Sequence, residues 1–176
     1  MYSLQCWMYD AVYGLYTKDV GGDYVGGEYI TLEEALRKQI ELCITMENYR
    51  CGVYVASKDH FKKACNIWEK VMDKYTWNYI LKYYNVPFGV LTVDFTNYNR
   101  LKIIILDEKT VRMYKHNGVI IDSEIDTETK NIFVYPSLVP RIGRGQFWES
   151  WDVVKSRVFE VDFPEENTEE NKNGEM

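Results

Sequence analysis

Histidine is nearly absent from this 176-residue chain, which holds only His60 and His116, and cysteine occurs four times, as Cys6, Cys43, Cys51 and Cys65. No C-x-x-C pair occurs and neither histidine stands at a metal-ligand spacing from a cysteine, so zinc finds no ligand set. Both histidines read as surface residues, His60 on the first turn of a helix and His116 in a polar loop. The cysteines read as reduced thiols of a cytoplasmic protein, with Cys43 and Cys65 on buried helical faces. No apolar run approaches the ~20 residues of a membrane helix, and Met1-Tyr2-Ser3-Leu4-Gln5 lacks a charged signal head. Positive charge is short as well. A net charge of −6 argues against broad binding to nucleic-acid backbone. A working phosphate loop is also missing. Gly21-Gly22-Asp23-Tyr24-Val25-Gly26-Gly27-Glu28 has glycines at that spacing, but Glu28 stands where the lysine belongs, and a carboxylate there repels phosphate.

What is present supports a packed core: 46% of residues are hydrophobic and 15% aromatic, well outside the disordered range. One domain is expected over residues 1–163. The acidic, polar stretch 164–176 has the composition of a disordered tail. Thr31-Leu32-Glu33-Glu34 is a capping-box pattern, and Leu32, Leu36, Ile40, Cys43 and Ile44 mark one face of a helix over 32–48. Ser57 caps a second helix, 58–74, with Phe61, Ala64, Cys65, Trp68, Val71, Met72 and Tyr75 as its core stripe. Strands are expected at 51–56, 90–95, 101–106, 118–122, 131–135 and 157–163, with a turn at Thr96-Asn97-Tyr98-Asn99. Helices alternating with apolar strands predict a three-layer α/β fold, a partly parallel sheet flanked by helices.

Two constellations could carry magnesium chemistry. An apolar strand ending in Asp122, with Glu124 two residues on, fits a metal–nucleotide site, although Ser123 takes the position of the second acid. Asp94 at the end of one hairpin strand, and Asp107 with Lys109 after the other, fit the aspartate and D/E-x-K pattern of metal-dependent nucleases.

Taken in order, several segments resemble the ATPase domain of tailed-phage terminase large subunits, the motors that package viral DNA. Leu4-Gln5-Cys6-Trp7 is similar to the segment that approaches adenine. Tyr13-Gly14-Leu15-Tyr16, the strand Gly27-Glu28-Tyr29-Ile30, and Val53-Tyr54-Val55-Ala56-Ser57 follow in the family's order. Asp107-Glu108-Lys109-Thr110 and Gly118-Val119-Ile120-Ile121-Asp122 resemble its second nucleotide motif. The resemblance covers roughly residues 4–125 and implies a degenerate P-loop-NTPase-like core. It makes Gln5, Trp7, Asp122 and Glu124 vestigial nucleotide-binding residues. The family's phosphate loop has no counterpart between Ile30 and Leu36, and no nuclease domain is expected after Phe163.

The leading expectation is a non-catalytic, terminase-like binding or regulatory protein of a phage or mobile element, in the cytoplasm of a bacterial host. It would act by protein–protein contact, without cofactor or metal, on a partner such as a phage packaging component or a host factor. Arg141, Arg144, Phe147, Trp148 and Trp151 are its interface candidates, since Trp, Tyr and Arg dominate hot spots. The alternatives are a small magnesium nuclease using Asp94, Asp107 and Lys109, an unusual nucleotide binder, or an acidic interaction protein whose likeness records only its origin.

Overall fold

The computed structural model describes residues 28–86, 90–106, 115–142 and 148–163. The first strand, β1 (Glu28–Tyr29), passes through Ile30 and Thr31 directly into helix α1 (Leu32–Thr45). Thr31 caps that helix, its Oγ1 accepting the Glu34 N–H at 3.2 Å, which satisfies one of the donors a helix start leaves open. Leu32, Leu36, Ile40 and Cys43 are buried at the expected spacing. The helix ends three residues before the predicted Asn48, because side chains from another element take its last carbonyls. Asn99 Nδ2 donates to Cys43 O and Met46 O, and Asn97 Nδ2 to Cys43 O.

Strand β2 (Arg50–Val55) leads into helix α2 (Lys58–Val71), which Ser57 caps by accepting the His60 N–H. Phe61, Ala64, Trp68 and Val71 are buried as predicted. The predicted stripe fails at Tyr75, which is exposed. Asp73 Oδ1 accepts both the backbone N–H and the hydroxyl of Thr76 at 2.7 Å, turning the chain into a 3₁₀ helix over Thr76–Tyr79. Strand β3 (Ile80–Val86) follows, absent from the sequence reading, then β4 (Val90–Phe95) and β5 (Arg100–Ile105).

After β6 (Gly118–Asp122), the expected strand over 131–135 is instead helical. Short helix α3 (Thr127–Thr129) continues as a π-helix over Lys130–Val134 and a 3₁₀ turn over Tyr135–Ser137. Asp126 caps the run by accepting the Thr129 N–H at 2.7 Å. The helical form brings Lys130 Nζ within 3.3 Å of Glu160 Oε1, which also takes the Tyr135 hydroxyl. Burial of that lysine and glutamate requires such pairing. Helix α4 (Trp151–Lys155) and strand β7 (Val158–Val161) complete the described chain.

The seven strands form one sheet in the order β1-β7-β6-β2-β5-β4-β3. Strands 51–56 and 118–122 are neighbours in it, as predicted, with Val53 opposite both Ile103 and Ile120. Only β4 runs against the rest. Helices α1 and α2 pack on the face carrying Cys51, Val53, Val55, Leu101, Ile103 and Phe159. The opposite face, with Tyr54, Ile104, Val119, Ile121 and Val158, is covered by Val134, Tyr135, Leu138 and Val154. This is a three-layer α/β fold. From β1 through β3 the chain advances along the sheet over one face, and from β6 to β7 it returns over the other, as crossovers of a single hand require.

Candidate functional site

Reversal of winding direction creates a switch point at the carboxyl ends of β2 and β6, where open α/β sheets place their ligands. Asp122 closes β6 at that point and is fully buried. Its Oδ2 accepts the Ala56 N–H at 2.9 Å and lies 2.5 Å from His60 Nδ1, while Oδ1 accepts the Glu124 N–H at 3.0 Å. The carboxylate places the ring proton of His60 on Nδ1. His60 Nε2 faces Glu124 Oε2 at 3.7 Å, and Phe163 stacks on the imidazole with centroids 4.4 Å apart.

His60 is therefore buried and fixed, not the surface residue that its place on a helical first turn suggested. Its ring turns inward because Asp122 offers a buried carboxylate that needs a partner. Asp122 Oδ2 meets Ala56 and His60, and Oδ1 accepts only from Glu124, which leaves one acceptor position on Oδ1. Among the described residues no group of three or more histidine, cysteine or acidic side chains is placed to hold a metal ion. Gln5 and Trp7 lie outside the described residues.

His116 also departs from expectation, with 3% of its surface exposed. Its backbone bridges Ser137 and Val139, and its ring sits edge-on to Tyr54, 5.5 Å between centroids. Gly52 makes room for it: a Cβ there would come within 2.5 Å of Nε2. Burial, then the positive charges of Lys102, Arg50 and Lys115, push its pKa down to about 3.

A second site lies at the amino ends of the same strands. A cleft of about 460 Å³ is bordered by Tyr49 and Arg50 at β2, the turn Asn97-Tyr98-Asn99, Lys115 and Asn117 before β6, and Arg141, Ile142 and Trp148. Its frame is locked by side-chain amides. Asn99 Oδ1 accepts the Tyr49 N–H at 2.8 Å, and Asn117 Oδ1 accepts the Arg50 N–H at 2.9 Å while its Nδ2 donates to Val139 O. Below them Arg157 forms a two-pronged pair with Glu149, which also accepts from Arg141 Nε and the Arg141 N–H. Burial pushes the Glu149 carboxyl up, but hydrogen bonds from Arg157 and Arg141, with their charges, outweigh it and hold it below its ordinary value.

On this frame Tyr98 stands 88% exposed with φ of 70°. A bulky residue rarely adopts that left-handed conformation, and it persists only where surrounding bonds impose it. Asn97 Oδ1, accepting the Asn99 N–H, and the two asparagine amides on α1 supply them.

No family profile matches this chain, and no curated protein matches it. Among solved structures it is similar to the large terminase of bacteriophage HK97, with a TM-score of 0.40 and 11% sequence identity. That similarity covers 92% of this chain but only 32% of the HK97 protein, so the chain spans about a third of its length.

Of the interface candidates, Arg141 and Trp148 line the cleft. Trp151 packs instead against the second core cluster, on the face with Tyr54. Arg144 and Phe147 lie outside the described residues. Asp94 of the nuclease constellation is buried and pairs with Arg100 Nε at 2.7 Å across the hairpin; Asp107 and Lys109 lie outside the described residues. Arg50, Tyr98 and Lys115 were missed as site residues. A tyrosine between two asparagines was the available signal, since asparagines fix turns through their own side chains.

Proposed function

We propose that the chain is a non-catalytic, terminase-like binding protein of a phage or mobile element, acting through the cleft at the amino ends of its parallel strands. The pre-locked frame under Tyr98 carries this reading. A rigid site loses little conformational entropy on binding, and tyrosine, tryptophan and arginine are the residues that dominate binding energy. Among the described residues that line the cleft, Arg50, Lys115 and Arg141 carry charge and none is a carboxylate, which favours a protein partner presenting an acidic segment. A phage packaging component or a host factor fits the resemblance in sequence.

The carboxyl-end site supports a reading without turnover. Phosphoryl transfer needs a lysine and backbone amides around the phosphates, whereas β1 here runs straight into α1.

Affinity capture from phage-infected cells, followed by titration of the recovered protein, tests the proposal. Arg50→Ala combined with Tyr98→Ala should weaken binding at least ~10-fold, as the loss of hot-spot contacts does, with cooperative melting kept. Removal of residues 164–176 should leave affinity unchanged. If the tail deletion abolishes binding and the double substitution does not, the cleft is the wrong surface. Magnesium-dependent ATP hydrolysis that disappears in Asp122→Ala would overturn the non-catalytic reading.

A further inference from the structure

Positive charge is concentrated at one corner of the sheet, in a chain whose net charge is −6. The register of β2 on β5 sets Arg50 directly opposite Arg100, and Arg100 lies opposite Asp94 on β4. Lys82 of β3 faces the same aspartate, so the row across four strands holds three cations and one carboxylate. Directly opposed like charges destabilise a sheet. Asp94 relieves Arg100, at 2.7 Å, and Lys82, at 3.9 Å. Arg50, at the far end of the row, is exposed and forms no ion pair among the described residues. Lys115, partly buried before β6, forms none there either.

Two neighbouring groups register this charge. Lys102, two residues along β5 on the same face as Arg100, has its pKa lowered by burial and then by Arg100; Asp94 opposes the shift and Arg50 adds to it. The ring of His116, over Gly52, is held neutral by burial and then by Lys102, Arg50 and Lys115. Arg50 and Lys115 therefore act on one point, and both line the amino-end cleft beside Tyr98. The strand register fixes Arg50, and its backbone N–H is tied to Asn117 Oδ1 at 2.9 Å. An incoming anion meets a site that is already organised.

We infer that the cleft seats a phosphomonoester on a side chain of the protein partner, held by Arg50 and Lys115. This rests on the cleft being the surface that binds the partner. Charge selects the group. A carboxylate neutralises one of the two cations, whereas a phosphomonoester carries about −1.5 to −2 near pH 7 and offers three acceptor oxygens. The guanidinium can take two of those oxygens side by side, and the ammonium the third. A nucleotide matches less well. Three of the four asparagines on the rim, whose amides could read a base, are committed to the frame: Asn97 and Asn99 to α1 and the turn, Asn117 to Arg50 and Val139.

In calorimetric titrations of the full chain, a short capped peptide carrying phosphoserine should bind at least ~10-fold tighter than the same peptide with glutamate there, as a charge-assisted hydrogen bond gives. Arg50→Gln and Lys115→Gln should each remove that preference. Arg37→Gln, on α1 and paired with Glu33, should keep it. In the parent chain the amide resonances of Arg50 and Asn117 should shift as the phosphopeptide is added, which decides the matter even if a variant fails to fold. Equal binding of the two peptides overturns the inference, and leaves the cleft reading standing if Arg50→Gln weakens both. A preference that survives both substitutions, or shifts confined to other strands, also overturns it. So does tighter binding of adenosine monophosphate than of the phosphopeptide. Failure of the cleft reading shows separately, as a captured partner indifferent to Arg50→Ala with Tyr98→Ala.

Discussion

The chain should be about 2 kcal/mol less stable at pH 5 than at pH 7 on account of His116 alone, each unit of pKa difference being about 1.4 kcal/mol. An unfolded histidine takes up its proton as pH falls through its ordinary value of 6.5, whereas the buried His116 stays neutral down to about 3. The unfolded state therefore binds more protons throughout that window. Stability is fully present above pH 6.5 and is lost progressively on the way down to pH 3. Near pH 3 the loss from this one group reaches roughly 4–5 kcal/mol, a large share of what a small domain has. Glu149, with its carboxyl held below the ordinary value, weakens the fold only at more acid pH. Urea titrations at pH 7 and pH 5 check this directly. His116→Phe, whatever it costs at pH 7, should remove most of the difference between the two curves. An unchanged difference in that variant would mean that another group senses the acid.

Trp68→Ala should cost ~3–5 kcal/mol, the range for removing a large aromatic side chain from a packed interior. Trp68 is 1% exposed and meets Trp77 edge-on at 5.5 Å and Tyr83 at 5.4 Å. Its ring packs on α2 beside Trp77 and Tyr83, near the β3 edge of the sheet. Its indole N–H has no acceptor among the described residues, so Trp68→Phe gives up volume but removes an unsatisfied donor. The phenylalanine variant should therefore lose distinctly less than the alanine variant in a denaturant titration. A loss below ~1 kcal/mol for Trp68→Ala would contradict the close packing assigned to this face.

Elements with strong local signals were legible in the sequence. Thr31 and Ser57 cap α1 and α2 where expected, and most of each apolar stripe is buried, Leu32, Leu36, Ile40 and Cys43 on α1 and Phe61, Ala64, Trp68 and Val71 on α2. What escaped depended on partners distant in sequence. The apolar run over 131–135 reads as a strand by composition, yet Glu160, a buried acid some thirty residues later, holds Lys130 in a helical form. Short apolar runs do not distinguish the two by pattern alone. Strand β3 was missed because apolar and polar residues do not alternate along Ile80-Leu81-Lys82-Tyr83-Tyr84-Asn85-Val86. His60 and His116 were misplaced for a similar reason: what buries them, Asp122 and Gly52, comes from other strands. The amino-end cleft was half visible, through Arg141 and Trp148, while the asparagine frame beneath Tyr98 exists only once β2, β5 and β6 lie side by side.

Among the described strands β1 pairs only with β7, Glu28 lying opposite Phe159, and that pairing sets the order in which the molecule can be assembled. Strands β3, β4 and β5 close with each other through short local connections, and local contacts form fastest because little loop entropy opposes them. The partner of β1 comes roughly 130 residues later, which at ribosomal speed is a wait on the order of ten seconds. The first described strand to be synthesised is thus the last to find its place. Until β7 is available, α1 has no neighbour at one end of the sheet and the amide of Gln39 has no Arg157 carbonyl to meet.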